Sequence, residues 1–152
     1  MEQRIFNEID VAKVTKLMKE RGLKVTPQRV LIAKAILENV ARHPSLKELY
    51  EMVSNTLPGV GVSTVYNTII MLESVGLIKT FYVEGRLHVD NPKVHINMYC
   101  KDRHEILDLE EEIGNEVINV LEKRGIPVRN PTILIIGSCE QNSTFSETSK
   151  LP

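Results

Sequence analysis

Ser63-Thr64-Val65-Tyr66-Asn67-Thr68 opens a stretch that runs on to Val89-Asp90, and the hydrophobic period changes once inside it. Val65, Ile69, Leu72 and Val75 recur at three- and four-residue spacing, the mark of one buried helix face. Gly76 is the helix-ending residue. Leu77–Val83 and Arg86–Asp90 are then rich in β-branched and aromatic residues and flank Glu84-Gly85. That pattern predicts a β-hairpin.

Upstream, three more helices are expected. Val11, Val14, Leu17 and Met18 mark the first, stopped by Arg21-Gly22. Thr26-Pro27 reads as cap and first residue of the second, which carries Val30, Leu31, Ala33, Ile36, Leu37 and Val40 and breaks at Arg42-His43-Pro44. Ser45 and Glu48 form a capping box for a helix that stops at Pro58-Gly59. Helices followed by a hairpin give the order of a winged helix-turn-helix domain, residues 1–90.

Downstream, Asn91-Pro92-Lys93 reads as a hinge. His95–Tyr99 and Glu105–Leu109 are expected as strands, Glu110–Arg124 as a helix, and Thr132–Ile136 as the most strand-like run of the chain. Residues 91–139 therefore form a small α/β unit, and the whole is α+β. Such a unit is short of core, and the apolar run Ile133–Ile136 needs cover, which a second copy would supply. The polar stretch 140–152 is expected to be a disordered tail.

The 152 residues bury a core without disulfide support, and two cysteines exclude a disulfide-rich secreted scaffold. The start lacks an apolar signal segment and no apolar run reaches 18 residues, so a cytoplasmic protein with no membrane span is expected. Net charge is −1, without the whole-chain basic surplus of many nucleic-acid binders. The charge is nevertheless uneven: residues 1–84 hold 11 Lys/Arg against 9 Asp/Glu, and residues 85–152 hold 8 against 11. No P-loop, G-x-G-x-x-G or nucleophile elbow is present, and no nucleophile–base pair is visible. An enzyme is not expected.

Recognition helices touch DNA through their first turns. Ser63 and Thr64 can bond phosphates, Asn67 an adenine edge, and Tyr66 a thymine methyl or a phosphate. The alternative is that Ser63 only caps and Tyr66 only packs. Among four histidines, His43, His88 and His95 flank the junction of the two halves. With Asp108 as oxygen donor they could share a metal, or each could be an ordinary exposed or core histidine. Cys100 and Cys139 are isolated, which usually means buried, inert thiols.

Taken together these residues resemble the ferric uptake regulator (Fur) family of metal-dependent repressors. The resemblance runs from about Leu23 to Cys139. It rests on Val25-Thr26-Pro27-Gln28-Arg29, on His43-Pro44-Ser45 with Leu49-Tyr50, on Val62–Asn67, and on Gly137-x-Cys139. It implies a winged-helix front domain, an α/β dimerisation domain behind, and one divalent cation per chain between them, Zn²⁺ or Fe²⁺ with Mn²⁺ possible.

Carried over by position, His43, His88, His95 and Asp108 are the implied ligands. His88 stands where the family usually has an acid, and Asn97 replaces the second histidine of an H-x-H pair. The resemblance further implies a homodimer that represses by binding a palindromic double-stranded operator when the cation is present. Arg21, Lys24 and Arg29 are then candidates for phosphate or minor-groove contact, with Ser63, Thr64, Tyr66 and Asn67 on the recognition helix.

A departure matters. Family members often hold a structural zinc by two C-x-x-C pairs, whereas Arg103 and Asn142 replace the second cysteines here. No four-cysteine zinc is expected. Cys100 and Cys139 are left to packing, to a bond under oxidation, or to a mixed site with His104. The other functional readings are a peroxide sensor that oxidises a ligand histidine, and a winged-helix regulator that has lost metal sensing and works through thiols or protein contacts.

Overall fold

The structure, a computed structural model, describes residues 10–139. The expected tail, 140–152, lies outside them. The described chain belongs to two compact units, with the boundary between Pro92 and Lys93.

In the front unit the helices are α1 (Val11–Glu20), α2 (Pro27–Asn39), α3 (Leu46–Thr56) and α4 (Val62–Ser74), followed by strands β1 (Lys79–Val83) and β2 (Arg86–Asp90). Local chemistry sets each start. The Asp10 carboxylate accepts from the Lys13 N–H and the Thr26 hydroxyl from the Arg29 N–H, with Pro27 at the first helical position. Ser45 and Glu48 make the full capping box. The start of α4 differs from expectation: Gly61 is its N-cap and gives no side-chain bond, so the helix begins one residue before Ser63. Ser63 is thereby left on the exposed first turn.

Val14, Met18, Ile32, Ile36, Leu49, Ile69 and Leu72 are fully buried, and Ile78, Leu87 and Val89 bring the hairpin into the same core. Glu84 and Gly85 both have positive φ (50° and 74°), the geometry of a type I′ hairpin turn. The register Phe81↔His88 and Lys79↔Asp90 follows from it. Ser45 bridges His88, and the Val89 N–H donates to the Pro44 carbonyl at 3.0 Å. The hairpin is thus sewn to the segment before α3. This arrangement is a winged helix.

The back unit is β3 (Ile96–Cys100), β4 (Glu105–Asp108), α5 (Glu111–Lys123) and β5 (Ile133–Gly137). The sheet order is β4-β3-β5, antiparallel on one side of β3 and parallel on the other. Gly114 lies in the middle of α5, where glycine is unfavourable. A methyl there would meet the His95 Cα at 3.4 Å, so α5 runs close over the backbone that leads into β3. Cys100, Leu107 and Cys139 form a small core cluster, with Met98 against it. The two cysteines are joined as a disulfide, with Cα atoms 5.3 Å apart and a separation of 39 positions in sequence. The Lys101 N–H donates to the Gly137 carbonyl, and the Cys139 N–H to the Asp102 carboxylate, each at 2.8 Å. Three ties therefore fasten the end of β5 to the end of β3.

Candidate metal centre

His43 follows the short 3-10 turn Val40–Arg42 and has left-handed backbone (φ 52°, ψ 50°). Outside glycine that costs about 1 kcal/mol or more. The conformation turns the chain sharply into Pro44 and is held by its surroundings. The His43 N–H donates to the Val40 carbonyl, and its own carbonyl accepts from His88 Nδ1 at 2.7 Å. The imidazole is buried, and Nε2 stands 3.4 Å from Asp90 Oδ1, itself 1% exposed. The same carboxylate oxygen accepts from the Asn91 N–H at 2.9 Å. Lys79 pairs with Asp90 across the hairpin; burial pushes its ammonium below the usual lysine range, and the Asp90 charge partly opposes this.

His88 and Asp90 are two residues apart on β2 and so share a face. His88 was the expected hairpin donor. The structure brings Asp90 to His43 instead, because the His88 ring is turned to the His43 carbonyl and lies stacked on Phe81, with centroids 5.8 Å apart and planes at 14°. The acid that the resemblance implied on this strand is therefore present two residues further on. An acid just before the hinge was the available signal.

In the back unit, His95 Nδ1 donates to the Lys93 carbonyl at 2.7 Å. That leaves Nε2 to face Asn97 Oδ1 at 3.1 Å and Asp108 Oδ1 at 3.3 Å. Asn97 and Asp108 are cross-strand partners on β3 and β4. An imidazole nitrogen, an amide and a carboxylate thus converge on one point. Fixing Nδ1 on a backbone carbonyl is also how metal-binding histidines are oriented. The donor chemistry of each unit, an imidazole nitrogen beside a carboxylate oxygen, fits a borderline dication.

Of the three readings of the cysteines, the structure has the bonded one. Cys100 and Cys139 are bonded to each other, His104 Nδ1 lies 3.3 Å from the Tyr99 hydroxyl, and no donor cluster gathers around the sulfurs among the described residues.

The expected DNA-contacting residues are placed as follows. Val65, Thr68, Ile69 and Leu72 face the core from α4, which turns Ser63, Tyr66 and Asn67 outward, with Thr64 half-buried. Arg21 donates through Nη1 to the Val75 carbonyl at the C-terminus of α4, where a cation suits the helix dipole. Arg29 donates to the Lys24 carbonyl at 3.3 Å, and Lys24 is exposed. No helix among the described residues is long and apolar enough to cross a membrane.

Residues 20–135 match the model of the ferric uptake regulator family. The ferric uptake regulation protein homolog of Archaeoglobus fulgidus is 37% identical over 108 residues, which are 70% of this chain and 80% of that protein. The peroxide-responsive repressor PerR of Staphylococcus aureus is 24% identical, covering 82% of this chain and 85% of its own. The manganese-bound ferric uptake regulator of Pseudomonas aeruginosa superposes with a TM-score of 0.68 at 23% identity, over 83% of this chain and 97% of that one. That likeness bears on the fold, a winged helix followed by a small C-terminal α/β domain. With a winged helix in front, a histidine–carboxylate pair in each unit and a family match over most of its length, this chain belongs to the ferric uptake regulator family of metal-responsive transcription regulators and is not an enzyme.

Proposed function

We propose that the protein is a cytoplasmic, homodimeric repressor whose binding to a palindromic operator is switched on by one divalent cation per chain. The observation that supports this best is the pair of half-sites, His43 with Asp90 and His95 with Asp108, at 3.4 and 3.3 Å. Two donors leave Zn²⁺ or Fe²⁺ short of ligands, and the two pairs together supply the four of a tetrahedral site. When bound, the cation supplies a tie between donors of the two units. The donor set suits Zn²⁺ and Fe²⁺, with Mn²⁺ the harder alternative.

The rest is carried by the chain's own residues. Ser63, Tyr66 and Asn67 face outward on the first turns of α4, with Thr64 half-buried beside them, to meet a major groove, and Lys24 stands by for phosphates. Arg21 and Arg29 act from their backbone bonds, Arg21 by steadying the end of the recognition helix. Ile135 and Ile136 on β5 and Val120 on α5 are exposed apolar side chains, which a second copy would cover.

The test is operator binding measured anaerobically with Zn²⁺, Fe²⁺, Mn²⁺ or none. Cation-dependent binding that His95→Ala or Asp90→Ala weakens well over tenfold supports the reading, since even outer-shell changes typically cost about 10–100-fold in affinity. Equal operator affinity without metal overturns it. Tyr66→Ala or Asn67→Ala should each cost about 1–3 kcal/mol of operator binding and leave the dimer intact; unchanged binding in both would remove α4 as the reading helix.

Two other readings have support of their own. Likeness to a peroxide-responsive repressor favours oxidation of His43 or His95 in the iron-loaded protein, seen as a one-oxygen mass gain on that peptide after peroxide. The Cys100–Cys139 bond favours a thiol-controlled regulator, in which operator binding would survive chelation and respond to reductant.

A further inference from the structure

His88 stands beside the front half-site without supplying a donor to it. Its Nδ1 lies 2.7 Å from the His43 carbonyl oxygen. A carbonyl only accepts, so Nδ1 carries the proton. The ring lies flat on Phe81, its cross-strand partner, whose other neighbour is the His43 ring at 6.4 Å. Turning the His88 ring toward a shared cation would break the bond to His43 and lose the stack together.

What the bond holds is the unusual feature of the site. His43 is a non-glycine residue with φ 52°, directly before a proline. Pro44 and Ser45 are sewn to β2 by backbone ties, Val89 N–H to the Pro44 carbonyl and the Ser45–His88 bridge. β2 meets the His43 ring through Asp90 and the His43 backbone through the His88 side chain. If His43 relaxed to the extended backbone normal before proline, its ring would swing off Asp90.

We propose that His88 is a positioning residue of the cation site: its Nδ1–H grips the His43 carbonyl, fixes the left-handed turn, and so aims His43 Nε2 at Asp90. The proposal rests on the reading of His43 and Asp90 as cation donors. It assigns His88 a role as holder of a ligand and removes it from the ligands themselves.

The experiment is anaerobic titration of the full chain with Co²⁺, following affinity and the visible ligand-field spectrum. His88→Phe keeps an aromatic ring for the stack and removes the donor. It should weaken Co²⁺ binding by about 10–100-fold, with the spectrum of the saturated protein unchanged. His88→Asn offers a side-chain N–H near the position of Nδ1 and should recover most of the loss, which no replacement of a ligand imidazole by an amide would do. His43→Ala should change the spectrum. Wild-type affinity in His88→Phe, or a spectrum in His88→Phe that reports a lost nitrogen donor, overturns the proposal while leaving the cation site standing. Wild-type protein that takes up no Co²⁺ overturns the cation reading, and the proposal with it. Should His88→Phe fail to fold, nitrogen-15 correlation spectra of the wild-type metal-free protein decide: a proton on Nδ1 of His88 supports the grip, and a proton on Nε2 alone removes it.

Discussion

The front and back units solve the same stability problem by different means. The front unit buries side chains of four helices and a hairpin in one contiguous core, several of them completely. At about 1.5–3 kcal/mol per buried aliphatic side chain, it has enough to stand on packing. The back unit has a core cluster of Cys100, Leu107 and Cys139, and turns Ile135, Ile136 and Val120 outward. Ile96 and Tyr99 are buried as well, and a disulfide and two hydrogen bonds at the end of β5 add cross-links to this smaller interior. The exposed apolar side chains of the back unit suit the proposed second copy, and the packed front unit suits the proposed reading of DNA.

The largest effect should come from opening the clasp. Replacing Cys100 and Cys139 by Ser, or reducing them, releases a 39-residue loop, worth about 4 kcal/mol in chain-entropy terms. Residue-resolved hydrogen exchange should show β3–β5 losing protection while α2–α4 keep theirs. Equal loss in both units would mean that their stabilities are not separate. The reciprocal change is Leu72→Ala, at a fully buried site. It should cost the front unit about 2–5 kcal/mol and leave protection of β5 as it was.

Smaller changes sharpen the contrast. Ser45→Ala removes the capping box of α3 and should cost about 1 kcal/mol, read by denaturant unfolding. The front unit should absorb that loss without unfolding. The smallest effect concerns pH. The Cys139 N–H bond to Asp102 holds that carboxyl below the usual aspartate range. A depressed carboxylate contributes stability above its unfolded pKa, near 4, and loses it as pH falls through the lower folded value. Clasp protection should therefore weaken in acid, and less so in Asp102→Asn. Because Asp102 is exposed, the difference is small; an acid sensitivity unchanged by the variant would take Asp102 out of the clasp.

Much of this architecture was legible in the residues. Thr26-Pro27, Ser45 with Glu48, and Glu84-Gly85 are local signals, each read by the backbone next to it, and each sits where the pattern placed it. That His95 stands beside Asp108, and that His43 ends its helix, follows from positions that the resemblance fixes. The nearness of Asp90, and not His88, to the His43 ring was not legible. His88 and Asp90 share a strand face, so period-2 reasoning treats them alike. The choice is made by the left-handed turn at His43, a conformation that a histidine before proline gives no local reason to expect. Arg21 shows the same limit: an exposed arginine beside a recognition helix reads as a phosphate contact, but its bond to Val75, 54 residues away, exists only in the fold. The cysteine bond was one of three readings left open, since the choice among them is made by the parallel pairing of β3 with β5, which brings together residues that no spacing rule connects.

The glycine in α5 has a consequence for how this centre tolerates change. At Gly114 the gap to the His95 backbone admits a methyl, at 3.4 Å from the Cα, and has no room for a branched side chain. Alanine would raise helix propensity by up to about 1 kcal/mol and still fit, so the position is open to thermal improvement. Valine or leucine would have to lever the helix away from the segment that carries His95, a proposed cation donor. At Gly114, then, the room for one carbon atom separates a change that would stiffen α5 from one that would disturb the proposed cation site.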